Sequence, residues 1–314
     1  MSDILITHAE NFSPEARRLL EGAGHRLWRY PQDCDPLRSA TCEALWVRLE
    51  RFSAYDLAYF TSLKVLATNC TGTDHLPLEE CARRNIRVVS LQDCREEMPS
   101  VHSTAELTVL LILELLRNVG GAAAHVNAGG WDRWQFVGRE LRGKRVAIIG
   151  YGRVGQQVGE LLTAFGCKVL RFNEGWEASL ALVGRADIIT CHASLNDTSR
   201  GMFNAERFAQ MKHGAYFINT ARGAIVDEGA LLGALESGHL AGAALDVVQD
   251  EPYVNPALVE FARREPGRLI ITPHCAGATV EGLHATELMI ARKLVEIFAE
   301  PVADPRFLNG PIPD

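Results

Sequence analysis

Short apolar runs rich in branched residues alternate with amphipathic stretches along most of the chain. In the first hundred residues the strand-like runs cover 3–7, 44–49, 63–68 and 86–89, and helical patterns follow Ser13 and cover 76–85. Ser13 is a favourable N-cap, and Pro14 suits the first helical position because its missing N–H has no intrahelical partner there. Strands that alternate with helices predict a parallel sheet that is covered on both faces.

The same alternation resumes at Lys144 with more strongly apolar strands. A long helical stretch over 100–118 precedes it, and a last helical pattern covers 283–299. The strands of this part are predicted at 145–149, 168–172, 187–190, 215–219, 242–246 and 269–272. The predicted fold class is therefore α/β, with two doubly wound parallel-sheet domains.

Composition and charge argue against several classes of function. The chain has 314 residues and a formal net charge of -7, whereas nucleic-acid binding relies on clustered Lys and Arg. Its longest apolar run, 107–113, is too short to cross a bilayer.

The N-terminal residues lack the basic start and apolar core of a secretory signal, so we expect a cytoplasmic protein. The eight cysteines form no C-x-x-C pair, so neither a metal site nor a disulfide framework is expected.

A G-x-G-x-x-G motif is formed by Gly150, Gly152 and Gly155. It directly follows the apolar strand 146–149 and opens the helical pattern 156–165. In this context the first glycine permits a tight turn, the second lets the backbone approach a pyrophosphate, and the third allows close packing of helix on strand. The N–H groups at the start of the helix then face the phosphates. The motif therefore predicts a dinucleotide site.

The acid that would bind the adenosine ribose is displaced in this sequence. The strand 168–172 is followed by Asn173, and the first carboxylate is Glu174. That carboxylate would accept hydrogen bonds from the ribose and repel a 2′-phosphate, and residues 175–180 contain no Lys or Arg. NAD is therefore favoured, with Asn173 as a second hydrogen-bond partner. Arg171 leaves NADP open, and the preference would be weak if Glu174 were only a solvated turn residue.

Three chemically suited side chains follow strands of the second sheet. Arg222, Glu251 and His274 each come after a predicted strand, and ligands of such folds bind beyond the carboxyl ends of the strands. Taken singly, these residues suit an ion pair, a solvated acid and a core histidine. Their joint occurrence behind the glycine motif indicates one site instead. His102 and His192 are interpreted as structural residues or as part of the cofactor cleft.

Four segments resemble the D-isomer-specific 2-hydroxyacid dehydrogenase family. They are LRGKRVAIIGYGRVG, INTARGAIVDEGALLGAL, LAGAALDVVQDEP and ITPHCAGAT, in this order and with family-like spacing. The resemblance implies a Rossmann NAD-binding domain over 100–285, inserted into a flavodoxin-like substrate domain made of 1–99 and 286–314. The first hundred residues match mainly in architecture and in the loop 70–74.

The resemblance also implies a reaction and its residues. A hydride would pass between NAD and a small 2-hydroxy or 2-oxo acid, with His274 taking and returning the hydroxyl proton. Glu251 would orient the imidazole and favour its protonated form. Arg222 would grip the substrate carboxylate and polarise the carbonyl. Backbone N–H groups of Thr71 and Gly72 would help to hold that carboxylate.

The implied cofactor site combines the glycine loop with three later segments. Asp246 would bind the nicotinamide carboxamide. The full set implied for the cofactor is Thr104, Gly150, Gly152, Arg153, Val154, Gly155, Asn173, Glu174, Thr220, Ala221, Arg222, Asp246, His274 and Ala276.

The family pattern is not followed everywhere. The segment 90–100 differs from the usual loop at the substrate and leaves the substrate undetermined. The run 191–194 lacks a proline that is usual near the adenine pocket, but cofactor binding should survive this difference. No regulatory domain is expected after the last helix.

Assembly and two alternative functions remain open at this point. The resemblance implies a homodimer through 100–134, where the apolar run 107–113, Trp131 and Trp134 suit a buried contact, although a monomer core would absorb them equally well. One alternative is a phosphite dehydrogenase-like enzyme, which shares the Arg, Glu and His and the displaced Glu. The other is a non-catalytic NAD(H)-sensing protein that resembles the corepressors of this fold.

Overall fold

A computed structural model of the chain describes residues 2–173 and 183–299. Two compact units divide the chain, and the second interrupts the first. Unit 1 comprises Met1–Val101 and Val280–Asp314, and unit 2 comprises His102–Thr279. Both are α/β units with parallel sheets.

Unit 1 is built on a five-stranded parallel sheet in the order β2-β1-β3-β4-β5. The Ser13 hydroxyl accepts the Ala16 N–H at 3.3 Å, which confirms the predicted cap. The strands are β1 (Asp3–Thr7), β2 (Arg26–Tyr30), β3 (Ala44–Trp46), β4 (Val65–Ala67) and β5 (Arg87–Val89). The helices are α1 (Pro14–Gly22), α2 (Pro36–Thr41), α3 (Ala54–Leu57), α4 (Leu78–Arg83) and, after unit 2, the helix Val280–Ala299.

Unit 2 is built on a six-stranded parallel sheet in the order β11-β10-β9-β8-β6-β7. The six predicted strands are present, each within two residues at either end. They are β6 (Arg145–Ile149), β7 (Lys168–Phe172), β8 (Ile188–Cys191), β9 (Ala215–Asn219), β10 (Leu240–Leu245) and β11 (Leu269–Ile271). The described helices are α5 (Ser103–Arg117), α6 (Val119–Asn127), α7 (Arg153–Ala164), α8 (Ala205–Gln210), α9 (Glu228–Glu236) and α10 (Pro256–Arg264). The helix Val280–Ala299 of unit 1 follows them in the chain and is numbered α11.

The unit 2 sheet buries apolar side chains on both faces, as doubly wound sheets do. Along β6, Ala147 and Ile149 point into a cluster that contains Phe203, Phe208 and Phe217. Val146 and Ile148 point to the opposite face, against the apolar side of α5 and α7. Two covered faces explain why β6 reads as a continuous apolar run.

No single helix among the described residues is long and apolar enough to cross a membrane; α5 and α6 together reach that length but meet at a bend of 61°. Within the same part of the chain, no cluster of three or more His, Cys, Asp or Glu side chains is arranged to hold a metal ion.

The carboxylate of Asp187 ties together the amino ends of three neighbouring strands. It accepts the Arg145 N–H at 2.8 Å and the Lys212 ammonium at 2.6 Å. Burial opposes its ionisation, but these hydrogen bonds outweigh burial and lower the pKa of Asp187. We expect Asp187→Ala to lower the free energy of unfolding by about 1–3 kcal/mol near pH 7, since a half-buried N–H and a cation lose their partner.

The stabilisation by Asp187 depends on pH in a defined direction. A carboxyl group with a lowered pKa in the folded state stabilises the fold above its unfolded pKa of about 3.9, and that contribution disappears as the pH falls further. Urea unfolding should therefore separate wild type from Asp187→Ala at pH 7, and the difference should shrink as the pH falls below about 4. Asp197→Ala, at an exposed loop position, is the control. A constant difference at all pH values would contradict the assignment.

Candidate active site

The glycine loop joins β6 to α7 as the sequence predicted, and each glycine has a different environment. Gly150 has φ of +89°, and a Cβ on it would lie 2.4 Å from the Ala193 nitrogen. A Cβ on Gly155 would lie 2.3 Å from the Gly150 carbonyl oxygen. A Cβ on Gly152 would meet no described atom within 4 Å. The first and third glycines are thus required by packing, whereas the second leaves open space in front of the helix.

That open space fits the phosphates of a dinucleotide. Gly152 is the N-cap of α7, and Arg153 and Val154 form its first turn. Backbone N–H groups in the first turn of a helix have no intrahelical acceptor and carry the positive end of the helix dipole. Gly152, Arg153 and Val154 would therefore hold the pyrophosphate through their backbone.

The two glycine environments predict opposite effects for the same substitution. Gly152→Ala should fold normally but bind NADH about tenfold or more weakly, since losing about 1.4 kcal/mol of close contact suffices. Gly155→Ala should instead lower the free energy of unfolding by about 1–3 kcal/mol, because its methyl group overlaps a backbone carbonyl. NADH fluorescence titration and thermal unfolding measure the two effects. Equal losses of binding and stability in both variants would show that Gly152 is only a packing position.

Asn173 lies at the end of β7 and contacts the glycine loop directly. Its side-chain oxygen accepts the Tyr151 N–H at 2.8 Å. The guanidinium of Arg171 lies over the Tyr151 ring, 5.0 Å from its centroid. Glu174 falls outside the described residues. Within the described part, Asn173 therefore fixes the loop, and its expected contact with the ribose stays a prediction.

Glu251 and His274 are brought together by two different strand ends. Glu251 lies in the loop after β10, and His274 lies after β11 with φ of +50°. The His274 Nδ1 and the Glu251 Oε2 are 2.7 Å apart, and both side chains are partly exposed. A carboxylate at one ring nitrogen fixes the tautomer and leaves Nε2 for a ligand. This arrangement is suited to proton transfer.

Asp246, at the end of β10, holds the segment that carries His274. Its side chain is 1% exposed. One carboxylate oxygen accepts the Thr272 hydroxyl at 2.6 Å and the Cys275 N–H at 2.9 Å, and the other accepts the Ala276 N–H at 2.9 Å. The main-chain carbonyl of Asp246 accepts the His274 N–H at 2.8 Å. These bonds hold His274 in a left-handed conformation that non-glycine residues rarely adopt.

Arg222 follows β9 in the same unit. The side-chain oxygen of Asn219, which is fully buried, accepts the Ala221 N–H at 3.0 Å. The Asn219 amide donates to the Arg222 carbonyl at 2.9 Å, and one Arg222 guanidinium nitrogen donates to the Ala221 carbonyl at 2.8 Å. Asn219 therefore sets the turn that presents Arg222. Sequence reasoning missed this residue, although a buried amide directly after an apolar strand is a usable signal.

Thr220 connects the site to α5 and to His192. Its hydroxyl lies 3.0 Å from that of Thr108, which in turn donates to the Thr104 carbonyl at 2.7 Å. The Thr220 hydroxyl is also 3.4 Å from His192 Nδ1. Desolvation lowers the pKa of His192 to about 3, so the imidazole is neutral. The interpretation of His192 as a structural residue or as part of the cofactor cleft stays a prediction.

Thr71 and Gly72 belong to unit 1, in the loop between β4 and α4. The Thr71 side chain is exposed, and its carbonyl accepts the Gln92 amide at 2.9 Å. That contact ties the loop to the segment 90–100, where the sequence departs from the family pattern.

Comparison with known proteins identifies the family. Residues 109–276 match the model of the D-isomer specific 2-hydroxyacid dehydrogenase, NAD binding domain. The chain belongs to this family. Unit 2 is accordingly an NAD-binding domain, and the glycine loop lies within the matched residues.

Two curated relatives show the range of names in the family. D-3-phosphoglycerate dehydrogenase of Bacillus subtilis is 36% identical over 254 residues, which are 77% of this chain and 46% of that protein. Glyoxylate reductase of Thermofilum pendens is 30% identical, and the match covers 94% of this chain and 85% of that protein. The chain spans about half the length of the phosphoglycerate dehydrogenases that it matches.

Solved structures agree with the fold along nearly the whole chain. The TT0316 protein of Thermus thermophilus superposes with a TM-score of 0.80 at 29% identity, covering 96% of this chain and 98% of that one. D-lactate dehydrogenase of Aquifex aeolicus, solved with NAD and lactic acid, superposes with a TM-score of 0.74 at 27% identity, covering 94% of each chain.

Proposed function

We propose that this protein is an NAD-dependent D-2-hydroxyacid dehydrogenase that acts on a small carboxylate. The reaction converts a 2-hydroxy acid and NAD⁺ into a 2-oxo acid, NADH and a proton, or runs in reverse. The observation that carries the proposal is the contact of 2.7 Å between His274 and Glu251, in the unit that also carries the glycine loop. The intact pair argues against the non-catalytic alternative, and the screen below decides between them.

His274 is assigned the proton transfer. During oxidation its Nε2 accepts the proton of the substrate hydroxyl, and during reduction the imidazolium returns that proton to the carbonyl oxygen. Glu251 holds Nδ1 and stabilises the positive charge that develops on the ring. The bound NAD supplies the hydride chemistry, because protein side chains neither accept nor donate a hydride readily.

Arg222 is assigned the role of binding the substrate carboxylate. Its guanidinium is planar, permanently charged and matched to two carboxylate oxygens. Asn219 sets the backbone on which Arg222 lies, so the position of the charge is fixed before the substrate binds. Such preorganisation lets the same cation polarise the neighbouring carbonyl during reduction.

A coupled absorbance screen tests the proposal. Purified protein is mixed with NADH or NADPH and a panel of 2-oxo acids that includes glyoxylate, pyruvate and hydroxypyruvate, and the loss of absorbance at the NADH band is recorded. Turnover with NADH and at least one 2-oxo acid is expected. Phosphite-dependent formation of NADH without any 2-oxo acid activity would favour the phosphite alternative. Tight NADH binding without turnover on any substrate would favour the non-catalytic alternative.

We also propose a homodimer through the segment 100–134. Part of this segment packs in the core of unit 2, but three of its large apolar side chains do not, since Trp131 is 89% exposed, Trp134 is 75% exposed and Leu110 is 57% exposed. Large apolar side chains left exposed along one segment favour a contact surface there. Sedimentation analysis should show a dimer, and the double variant Trp131→Ser, Trp134→Ser should weaken it. A wild-type monomer at micromolar concentration would refute the proposal.

A further inference from the structure

The loop that carries Glu251 is anchored by a buried carboxylate from another element. Glu228 is the first residue of α9 and is 7% exposed. Its Oε1 accepts the Gln249 N–H at 2.7 Å. The next N–H toward the N-terminus, that of Val248, donates to Glu251 Oε1 at 3.1 Å. Two consecutive backbone N–H groups are therefore held by two carboxylates, and one of these carboxylates also contacts His274.

The same loop is pressed against the segment that follows Arg222. A Cβ on Gly223 would lie 1.9 Å from the Val248 carbonyl oxygen and 2.6 Å from the Gln249 nitrogen. The backbones at 223 and at 248–249 thus touch directly, and only glycine permits this approach. Five residues after Gly223, the Glu228 side chain binds the same loop through the Gln249 N–H.

These contacts connect the segment that begins with Arg222 to the loop that carries Glu251. The segment 222–228 has Arg222 at one end and Glu228 at the other, and Glu228 holds the loop that presents Glu251 to His274. Gln249 is exposed, so water would replace the lost carboxylate at its N–H, and the loop would no longer be held to α9 at this point. Glu251 would then leave the position that orients the imidazole.

We propose that Glu228 is a positioning residue that holds the Glu251–His274 pair in its reactive geometry. The inference rests on the proposed function. Glu228 contacts neither the glycine loop nor the Arg222 side chain in the described contacts, so its loss affects turnover and leaves cofactor affinity unchanged.

Three variants at this position separate positioning from folding. Glu228→Leu removes the acceptor, Glu228→Asp withdraws it by one methylene, and Glu228→Gln keeps a side-chain oxygen that can accept the Gln249 N–H. Glu236→Leu, at an exposed position of the same helix, is the matched control. We measure kcat, KM, the pH profile of kcat/KM, the dissociation constant of NADH and the thermal midpoint for each variant.

We expect Glu228→Leu to lower kcat by about 10- to 100-fold, because small misplacements of catalytic groups cost this much. Its pH profile of kcat/KM should differ from that of wild type, because Glu251 no longer holds the imidazole in place, while NADH affinity stays unchanged. Glu228→Gln should restore the wild-type profile, and Glu236→Leu should match wild type throughout. Wild-type kcat and pH profile in Glu228→Leu would overturn the inference. If Glu228→Leu does not fold, Glu228→Asp decides by the same criteria.

A spectroscopic measurement separates this inference from the proposed function. The Nδ1–H resonance of His274 in histidine-labelled protein reports its hydrogen bond to Glu251 whether or not a substrate has been found. We expect this resonance to shift or broaden in Glu228→Leu or Glu228→Asp and to persist in Glu228→Gln. An unchanged resonance in all variants would overturn the positioning role even in an active enzyme. Absence of turnover by the wild type would instead overturn the proposed function.

Discussion

His274→Asn is expected to lower kcat/KM for 2-oxo acid reduction by about 10²- to 10⁴-fold, the usual contribution of a positioned general acid. Asparagine is the appropriate replacement because His274 has φ of +50°, a conformation that asparagine tolerates better than alanine. The substrate carbonyl would lose its proton donor, whereas the glycine loop would be untouched. NADH affinity should therefore fall far less than kcat/KM, and the thermal midpoint should remain near wild type.

Steady-state kinetics and NADH titration on the same preparation check this prediction. His213→Asn, at an exposed position at the opposite end of the unit 2 strands, is the matched control and should retain full activity. Full turnover by His274→Asn would remove the proton-transfer role from His274. An equal loss of kcat/KM in both variants would show that the effect comes from replacing any histidine with asparagine and not from the active site.

Arg222→Gln is expected to lower kcat/KM by about 10²- to 10³-fold, since a charge-assisted hydrogen bond pair contributes several kcal/mol in a desolvated site. Most of the loss should be in KM if Arg222 only binds the carboxylate, and kcat should fall as well if the guanidinium also polarises the carbonyl. Arg222→Lys keeps the charge but loses the planar fork, so it should recover only part of the loss.

The control for this prediction is Arg264→Gln. Arg264 lies at the end of α10 in an exposed ion pair with Glu236, and such pairs contribute little to stability. Its kinetic constants should match those of wild type. Unchanged KM and kcat in Arg222→Gln would exclude Arg222 from the substrate site.

Local signals explain what the sequence could predict of this structure. The strand, glycine turn and helix around Gly150 are encoded within about 20 residues, and the apolar strands of unit 2 read clearly because both faces are buried. In contrast, β2 was not predicted, because Arg26 and Arg29 interrupt its apolar residues at an edge of the sheet. The helix α6 was not predicted either, because its glycine and alanine residues show no amphipathic period.

The site residues likewise divide into those with a local sequence signal and those without one. Arg222, Glu251 and His274 were predicted because polar side chains follow apolar strands, and the structure brings Glu251 and His274 into contact. The long-range contacts that hold them could not be predicted in this way. Glu228 reaches a backbone N–H that lies 21 positions along the chain, and Asp246 reaches backbone groups 29 and 30 positions away. No local pattern carries such contacts.

Deuterium transfer tests the central claim most directly. NADH that carries deuterium at its transferable position is incubated with the protein and the 2-oxo acid of fastest turnover, or with the whole panel if none is evident. The account predicts a D-2-hydroxy acid with deuterium at C2, formed by the wild type and about 10²- to 10⁴-fold more slowly by His274→Asn. Folded protein that binds NADH but leaves C2 of every 2-oxo acid unlabelled would contradict it.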